Sequence, residues 1–262
     1  MATCDARGGE KDSGPPRCVQ WRLLRAAIEF MTHHSPLPPC LNDLDVSTWA
    51  PGLHLARCRF EPEKLLDDAF QHARIPQPAG LRSAIAKRRC EYLAGRVCAA
   101  TAGEALTGKR EIPVPGKDRA PLWPAPLVGA ITHSHGRAAA LVGHREQWRG
   151  LGLDYEAWLT PRRALRLAEE ILTGEERQAL QGLDEAEQAR RITLTFSVKE
   201  SLFKALHPLT GRRFYFQDAA LDGEDRIRLL TTLSADWRQG AALPYQWRNE
   251  EAGVLSWIQI PA

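Results

Sequence analysis

The sequence holds no C-x-x-C pair, no internal repeat and no apolar run near the roughly 20 residues that span a bilayer. Those gaps argue against a thiol redox motif, a solenoid and a transmembrane helix. Charge of one sign is also lacking: 35 basic against 32 acidic residues give +3, too slight an excess to argue for nucleic acid. Two histidines in ITHSH (131–135) have no downstream Cys/His pair at ligand spacing, so zinc is poorly supported. The opening MATCDARGGEKDSGPPRC is polar and lacks an apolar h-region, which reads as a disordered tail and not a signal peptide. All six cysteines lie in the first hundred residues without regular spacing, the pattern of reduced thiols in a cytosolic protein.

What is present suffices for a full core: 262 residues at 44% hydrophobic content, as one large domain or two lobes. VQWRLLRAAIEFM (19–31) has weak helical periodicity and meets the breaker SPLPPC. From Pro51 the pattern sharpens. GLHLARCRF alternates like a strand, and 83–106 reads as a long helix closed by Gly108. A Pro- and Gly-rich loop follows, then strands over GAIT, RAAALVGH and GLGLDYE. Thr160-Pro161 is an N-cap with Pro at the first helical position, and TGEE (173–176) is an S/T-x-x-E box. A helix over 186–206 and strands near 213–221, 226–233 and 253–260 complete the second half. Each half thus holds a long helix and several strands, an α+β plan.

Four signals carry chemistry. In GLGLDYE (150–156) an extended backbone puts Leu151, Leu153 and Tyr155 on one face and Asp154 with Glu156 on the other. Two carboxylates so placed repel unless a cation or proton intervenes; they are either a strand end opening into solvent or half of a hard-metal site. FSVKESLFKAL (196–206) sets Glu200 and Lys204 at i, i+4, ordinary for a surface ion pair, while Ser197-x-x-Glu200 also fits a capping box. Beside Asp154 and Glu156, however, Glu200 could complete an oxygen cage for Mg²⁺. Arg82, Arg89 and Arg96, spaced by seven, would form one basic stripe on a helix, suited to phosphate or to solvent. Lys117 sits on a Gly-Pro loop open to close approach, and His133 at a strand end could donate to a phosphate oxygen.

Taken together and in order, GAITHSH, GLGLDYE and FSVKESLFKAL resemble the three signatures of the 4′-phosphopantetheinyl transferases, of the monomeric surfactin-synthetase and enterobactin type. RRCEYLAGR and GKDRAPLWP resemble that family's CoA-contacting helix and G-K-x-x-x-P loop. The resemblance runs from about residue 50 to the C-terminus, with Leu153 where Ile or Val is common and Phe196 where Trp is frequent. It implies two similar α/β lobes related by a pseudo-twofold, with the active site in the cleft between them. The boundaries would be an ill-ordered extension over 1–45, an N-terminal lobe over 46–148 and a C-terminal lobe over 149–262.

The implied reaction moves the 4′-phosphopantetheine arm of coenzyme A to a serine of an apo carrier protein, releasing adenosine 3′,5′-bisphosphate. Asp154, Glu156 and Glu200 would hold Mg²⁺, with Mn²⁺ as a substitute, and Glu200 would double as base. Lys199 and Lys204 would sit beside the pyrophosphate, His133 and Thr132 at a CoA phosphate, and Arg89, Arg96 and Lys117 at the nucleotide end. Partners would be acyl carrier proteins or the carrier domains of fatty-acid, polyketide or nonribosomal peptide synthases, met by a cytoplasmic monomer that uses neither nucleic acid nor membrane. A catalytically silent CoA- or carrier-binding module of the same fold and a Mg²⁺-dependent pyrophosphohydrolase are the alternatives.

Overall fold

The computed structural model describes residues 37–262. The readings made for 1–36, including the helix over 19–31, lie outside the described residues.

The first lobe is an antiparallel sheet of strands β1 (Leu41–Ala50), β2 (Leu53–Phe60), β5 (Leu127–Ser134) and β6 (Arg137–His144), in the order β1-β2-β6-β5. After a single-turn α1 (Ala69–His72), the long α2 (Ala86–Thr107) packs across it and stops at Gly108, whose φ of 71° supplies the left-handed cap. The helix begins at Ala86, so Arg82 stands outside it, and the expected three-arginine stripe is only Arg89 and Arg96. A two-residue ladder of β3 (Val114–Pro115) and β4 (Pro121–Leu122) carries the loop with Lys117. β1 is a strand that sequence pattern did not anticipate, as are the short strands at 114–115, 121–122, 242–244 and 246–250, and the expected boundary at residue 45 falls inside β1. Its register is broken by bulges and it carries Asp43 and Asp45, devices of an edge strand that blur the alternation seen in a half-buried one.

The second lobe repeats the plan. β7 (Trp148–Ala157), β11 (Gln246–Glu250) and β12 (Gly253–Pro261) form a sheet in the order β11-β12-β7, against which the long α5 (Glu185–Thr210) packs. Two shorter helices, α3 (Pro161–Ile171) and α4 (Gly174–Gln178), lead into it, and β8 (Ala219–Asp222), β9 (Arg226–Leu229) and β10 (Ala242–Pro244) form a small sheet beside it. Both α4 and α5 open on realised capping boxes, Thr173 with Glu176 and Asp184 with Glu187. Ser197, by contrast, lies inside α5 and caps nothing.

Leu151, Leu153 and Tyr155 of β7 pack with Leu255 of β12 against Leu53, Leu55 and Leu141 of the first lobe. Each such leucine, wholly buried, contributes about 1.5–3 kcal/mol, and the shared cluster joins the lobes. It leaves the other face of β7, Gly150-Gly152-Asp154-Glu156, to α5 and to the lobe seam. The four described cysteines, Cys40, Cys58, Cys90 and Cys98, are buried free thiols. No helix among the described residues is long and apolar enough to cross a membrane.

Candidate active site

Two glycines set the site. A Cβ on Gly152 would lie 1.9 Å from the Ser201 carbonyl oxygen, and one on Gly150 would lie 2.8 Å from that of Ala205. The bare backbone of β7 therefore admits α5 at a distance no side chain would allow. Beyond the glycines on the same face come Asp154 and Glu156. Buried hydroxyls fasten the contact: Ser256, paired with Asp154 across the β12–β7 ladder, lies 2.8 Å from both Ser197 and Ser201 of α5. Ser197 also donates to the Asp154 carbonyl at 3.4 Å.

Asp154 is 6% exposed. Its Oδ1 accepts from Lys204 Nζ at 2.7 Å and from Thr132 Oγ1 at 3.2 Å, and Lys204 donates as well to the Leu153 carbonyl at 3.0 Å. Its Oδ2 is buried with no partner, an expensive state for a carboxylate oxygen. Glu156 accepts from Ser134 Oγ at 3.3 Å. Burial, then the Asp154 charge, pushes its carboxyl up to about 7. Burial likewise raises Glu200, with Lys204 opposing and the Asp154 charge adding to the shift.

The three acids expected to converge thus share one electrostatic field. Among the described residues, however, no group of three or more His, Cys, Asp or Glu is gathered tightly enough to hold a metal ion. The counter-charge at Asp154 is the Lys204 ammonium. Asp154 and Glu156, with a partner-free buried oxygen and a carboxyl that resists ionising, suit a hard divalent cation.

Two expected phosphate contacts are otherwise engaged. Lys199 is 2% exposed, donating to Glu176 Oε2 at 2.6 Å and to the Ile171 carbonyl at 2.8 Å. One residue along a helix turns the side chain by about 100°, so Lys199 faces α4 while Glu200 faces Asp154's field. Thr132 is 2% exposed and its hydroxyl is spent, donating to Asp154 and accepting from the Tyr155 N–H at 3.0 Å. Neither fits the role given to it by resemblance.

The basic residues lie on the first lobe. His133 points away from Thr132 and Ser134, with Nε2 3.3 Å from Arg88 and Nδ1 3.8 Å from Glu91. Burial holds it below the usual histidine range, so the neutral ring accepts from Arg88. Arg96 is buried under a cation–π contact with Tyr92 at 4.7 Å, and burial lowers its pKa. The Nε atoms of Arg89 and Arg96 are both buried without a partner. Lys117 is exposed on a loop tied to α5 by Asp118, 3.5 Å from His207.

Several participants gave no signal in the sequence. Ser134 sits inside the ITHSH motif but shows its role only when β5 meets β7. Arg163 of α3 lowers the Glu156 carboxyl by its charge. A cavity of about 240 Å³ opens beside Glu200, lined by Phe203, Phe214, Tyr215 and Phe216 and also by Lys199 and Arg213.

Comparison with known proteins divides the chain at the same seam. Residues 77–143 match a family model described as the 4′-phosphopantetheinyl transferase N-terminal domain, and residues 150–255 match that of the 4′-phosphopantetheinyl transferase superfamily. Enterobactin synthase component D of Salmonella typhi is 38% identical over 131 residues, covering 50% of this chain and 53% of that protein. The 4′-phosphopantetheinyl transferase Npt of Nocardia iowensis is 34% identical over 148 residues, covering 55% and 63% respectively. The 4′-phosphopantetheinyl transferase Svp of Streptomyces mobaraensis is 36% identical over 155 residues, covering 55% and 58%. The chain therefore spans little more than half the length of the relatives it matches. With one family model on each lobe and the paired acids of β7 inside the second, the chain belongs to the 4′-phosphopantetheinyl transferase superfamily.

Proposed function

We propose that this protein transfers the 4′-phosphopantetheine arm of coenzyme A to a serine hydroxyl of an apo carrier protein. The observation that carries the reading is the state of Asp154: one oxygen held by Lys204 and Thr132, the other buried and partner-free beside Glu156. Asp154 and Glu156, with Glu200 nearby, would hold Mg²⁺ or Mn²⁺, which when bound supplies positive charge to the oxygens of the split diphosphate.

The remaining work falls to the chain's own side chains. Glu200, its carboxyl raised above the ordinary carboxylate range by burial, takes the proton of the carrier serine. The serine oxygen then bonds to the pantetheine-side phosphorus as the bond to the bridging oxygen breaks, and adenosine 3′,5′-bisphosphate leaves. Lys204 offers its ammonium to the charge that develops on the leaving phosphate. Arg89, Arg96, His133 and Lys117 hold the nucleotide end; the buried, acid-free guanidinium of Arg96 supports this, since an unpaired buried charge is costly without a ligand. The aromatic cavity beside Glu200 suits the uncharged pantetheine arm.

Carrier proteins are generally acidic, and the first turns of α3 offer them basic side chains. Arg162, Leu165 and Arg166 share the outward side of that helix, all exposed, with Arg163 on the flank toward Glu156. We place the reaction in the cytosol, which suits the free buried thiols, with the chain acting as a monomer.

Incubation with CoA, Mg²⁺ and an apo carrier, followed by intact-mass measurement, tests the proposal. The expected result is a carrier heavier by one phosphopantetheine, lost by at least about a hundredfold in Asp154→Asn. CoA cleavage without a carrier would instead mark a pyrophosphohydrolase, and CoA binding without turnover a silent module.

A further inference from the structure

The acids of the C-terminal lobe are held from the N-terminal one. β5 and β7 are edge strands of different sheets that meet at the lobe seam without a shared backbone ladder. Their contact is made by side chains in matching steps of two: Thr132 Oγ1 to Asp154 Oδ1 at 3.2 Å, and Ser134 Oγ to Glu156 Oε2 at 3.3 Å. We propose that Thr132 and Ser134 are positioning residues, which turn the Asp154 and Glu156 carboxylates into the arrangement that accepts a divalent cation. The inference rests on the metal-site reading given above.

Three observations favour positioning over mere satisfaction of polar groups. Thr132 adds to the same Asp154 oxygen that Lys204 already serves, so both donors gather on Oδ1 and Oδ2 stays partner-free. Glu156 is only half-buried and has solvent as an alternative partner, yet it meets a serine that is itself buried. That serine is also preset by a second contact, for Ser134 Oγ lies 2.8 Å from His135 Nδ1. Since the serine's one proton goes to the carboxylate, the imidazole N–H is the donor in that contact.

The platform is stiff where it needs to be. His135 and Gly136, with φ of 46° and 74°, form the two-residue loop between β5 and β6, with Ser134 opposite Arg137. Paired positive φ values mark the tight hairpin turn whose twist matches that of the strands, and it locks register up to the last residue. Ser134 is that residue. Groups of this kind around a metal ligand typically cost about 10–100-fold in metal affinity when removed.

Binding of Mn²⁺ to the whole protein without CoA or carrier, counted from the loss of the free-ion paramagnetic resonance signal, tests this apart from turnover. Ser134→Ala should bind Mn²⁺ about tenfold or more weakly, and the concentration for half-maximal transfer should rise in step. Thr132→Ser keeps the hydroxyl and should stay within about threefold of wild type. Asp154→Asn is the reference and should lose binding. Wild-type Mn²⁺ affinity in Ser134→Ala, with Asp154→Asn defective, would overturn this inference and leave the proposed function standing. Equal weakening in Ser134→Ala and Thr132→Ser would overturn it too, since the hydroxyl would not be what matters. Wild-type affinity in Asp154→Asn would remove the metal-site reading itself.

Discussion

Replacing Gly152 by alanine adds one methyl group and should abolish the proposed transfer. The new Cβ would sit 1.9 Å from the Ser201 carbonyl oxygen and 2.7 Å from its carbon, where ordinary contact begins at 3.4 Å. Both are backbone atoms of α5, so no side chain can swing aside and the helix must retreat by about 1.5 Å. Overpacking of this kind costs about 1–3 kcal/mol, or a fall of about 3–10 °C in midpoint for a chain of this size. The damage to function should be larger than the damage to stability. Glu200 and Lys204 ride on the same helix, and Lys204 reaches Asp154 at 2.7 Å and the Leu153 carbonyl at 3.0 Å. A misplacement of about 1 Å at a reacting centre costs on the order of a hundredfold in rate.

The measurement pairs thermal unfolding with the rate of holo-carrier formation at saturating CoA and Mg²⁺. Gly174→Ala is the control, because a Cβ there meets nothing within 4 Å and the residue lies at the start of α4. It should match wild type in both assays. If Gly152→Ala melts and turns over as Gly174→Ala does, the close approach of α5 to β7 is not what builds the site.

Three further outcomes follow from the same geometry. Glu156 has a folded pKa of about 7 against an ordinary 4.5, so the fold holds that proton more tightly than the unfolded chain does; its contribution to stability is full below 4.5 and is lost as pH rises through 7. The shift corresponds to about 3 kcal/mol, reduced by solvent around a half-exposed group to about 1–2, so denaturant midpoints of the metal-free protein should fall between pH 5 and 8 and stay flatter in Glu156→Gln. Lys199→Met should cost about 1–3 kcal/mol by removing the charged partner of the part-buried Glu176, which keeps the Thr173 and Leu221 N–H groups, and Lys199→Met/Glu176→Gln should recover much of it; a rate loss in the double variant at wild-type stability would return Lys199 to the chemistry. Arg89→Ala should raise the KM for CoA about tenfold while kcat changes little, and the reverse split would refute its place at the nucleotide end.

The strand face of Asp154 and Glu156 was legible because alternation is a local property: once 150–156 is extended, the leucines and the acids must part. The long helices were legible for the same reason, through period and caps. What escaped was set by neighbours distant in sequence. The motif Lys199-Glu200 names two charges, but only the position of α4 and its capping-box Glu176 decides that the first is buried in an ion pair. Thr132 reads as a ligand-facing hydroxyl until β5 is laid beside β7. Ser256 lies 55 and 59 residues from its partners Ser201 and Ser197 and has no local pattern at all.

Charge is divided unequally across the seam. The second lobe brings three carboxylates into one field, Asp154, Glu156 and Glu200, and sets against them the Lys204 ammonium at hydrogen-bond distance and the more distant charge of Arg163. Negative charge is left in excess, and the raised carboxyls of Glu156 and Glu200 register it together with their burial. A cation bound among these carboxylates would relieve that excess, and oxygen donors suit a hard one. The first lobe contributes no acid to this balance; it contributes the hydroxyls of Thr132 and Ser134 and the guanidinium groups of Arg89 and Arg96, whose Nε atoms are buried without a partner. On the proposed function, an anion carrying its own phosphates and a dication would complement the two lobes at once, and each would make the other's binding cheaper. Metal affinity measured with and without adenosine 3′,5′-bisphosphate should accordingly show the two tightening each other by the same factor, as linkage demands; independent binding would mean that the seam does not work as one site.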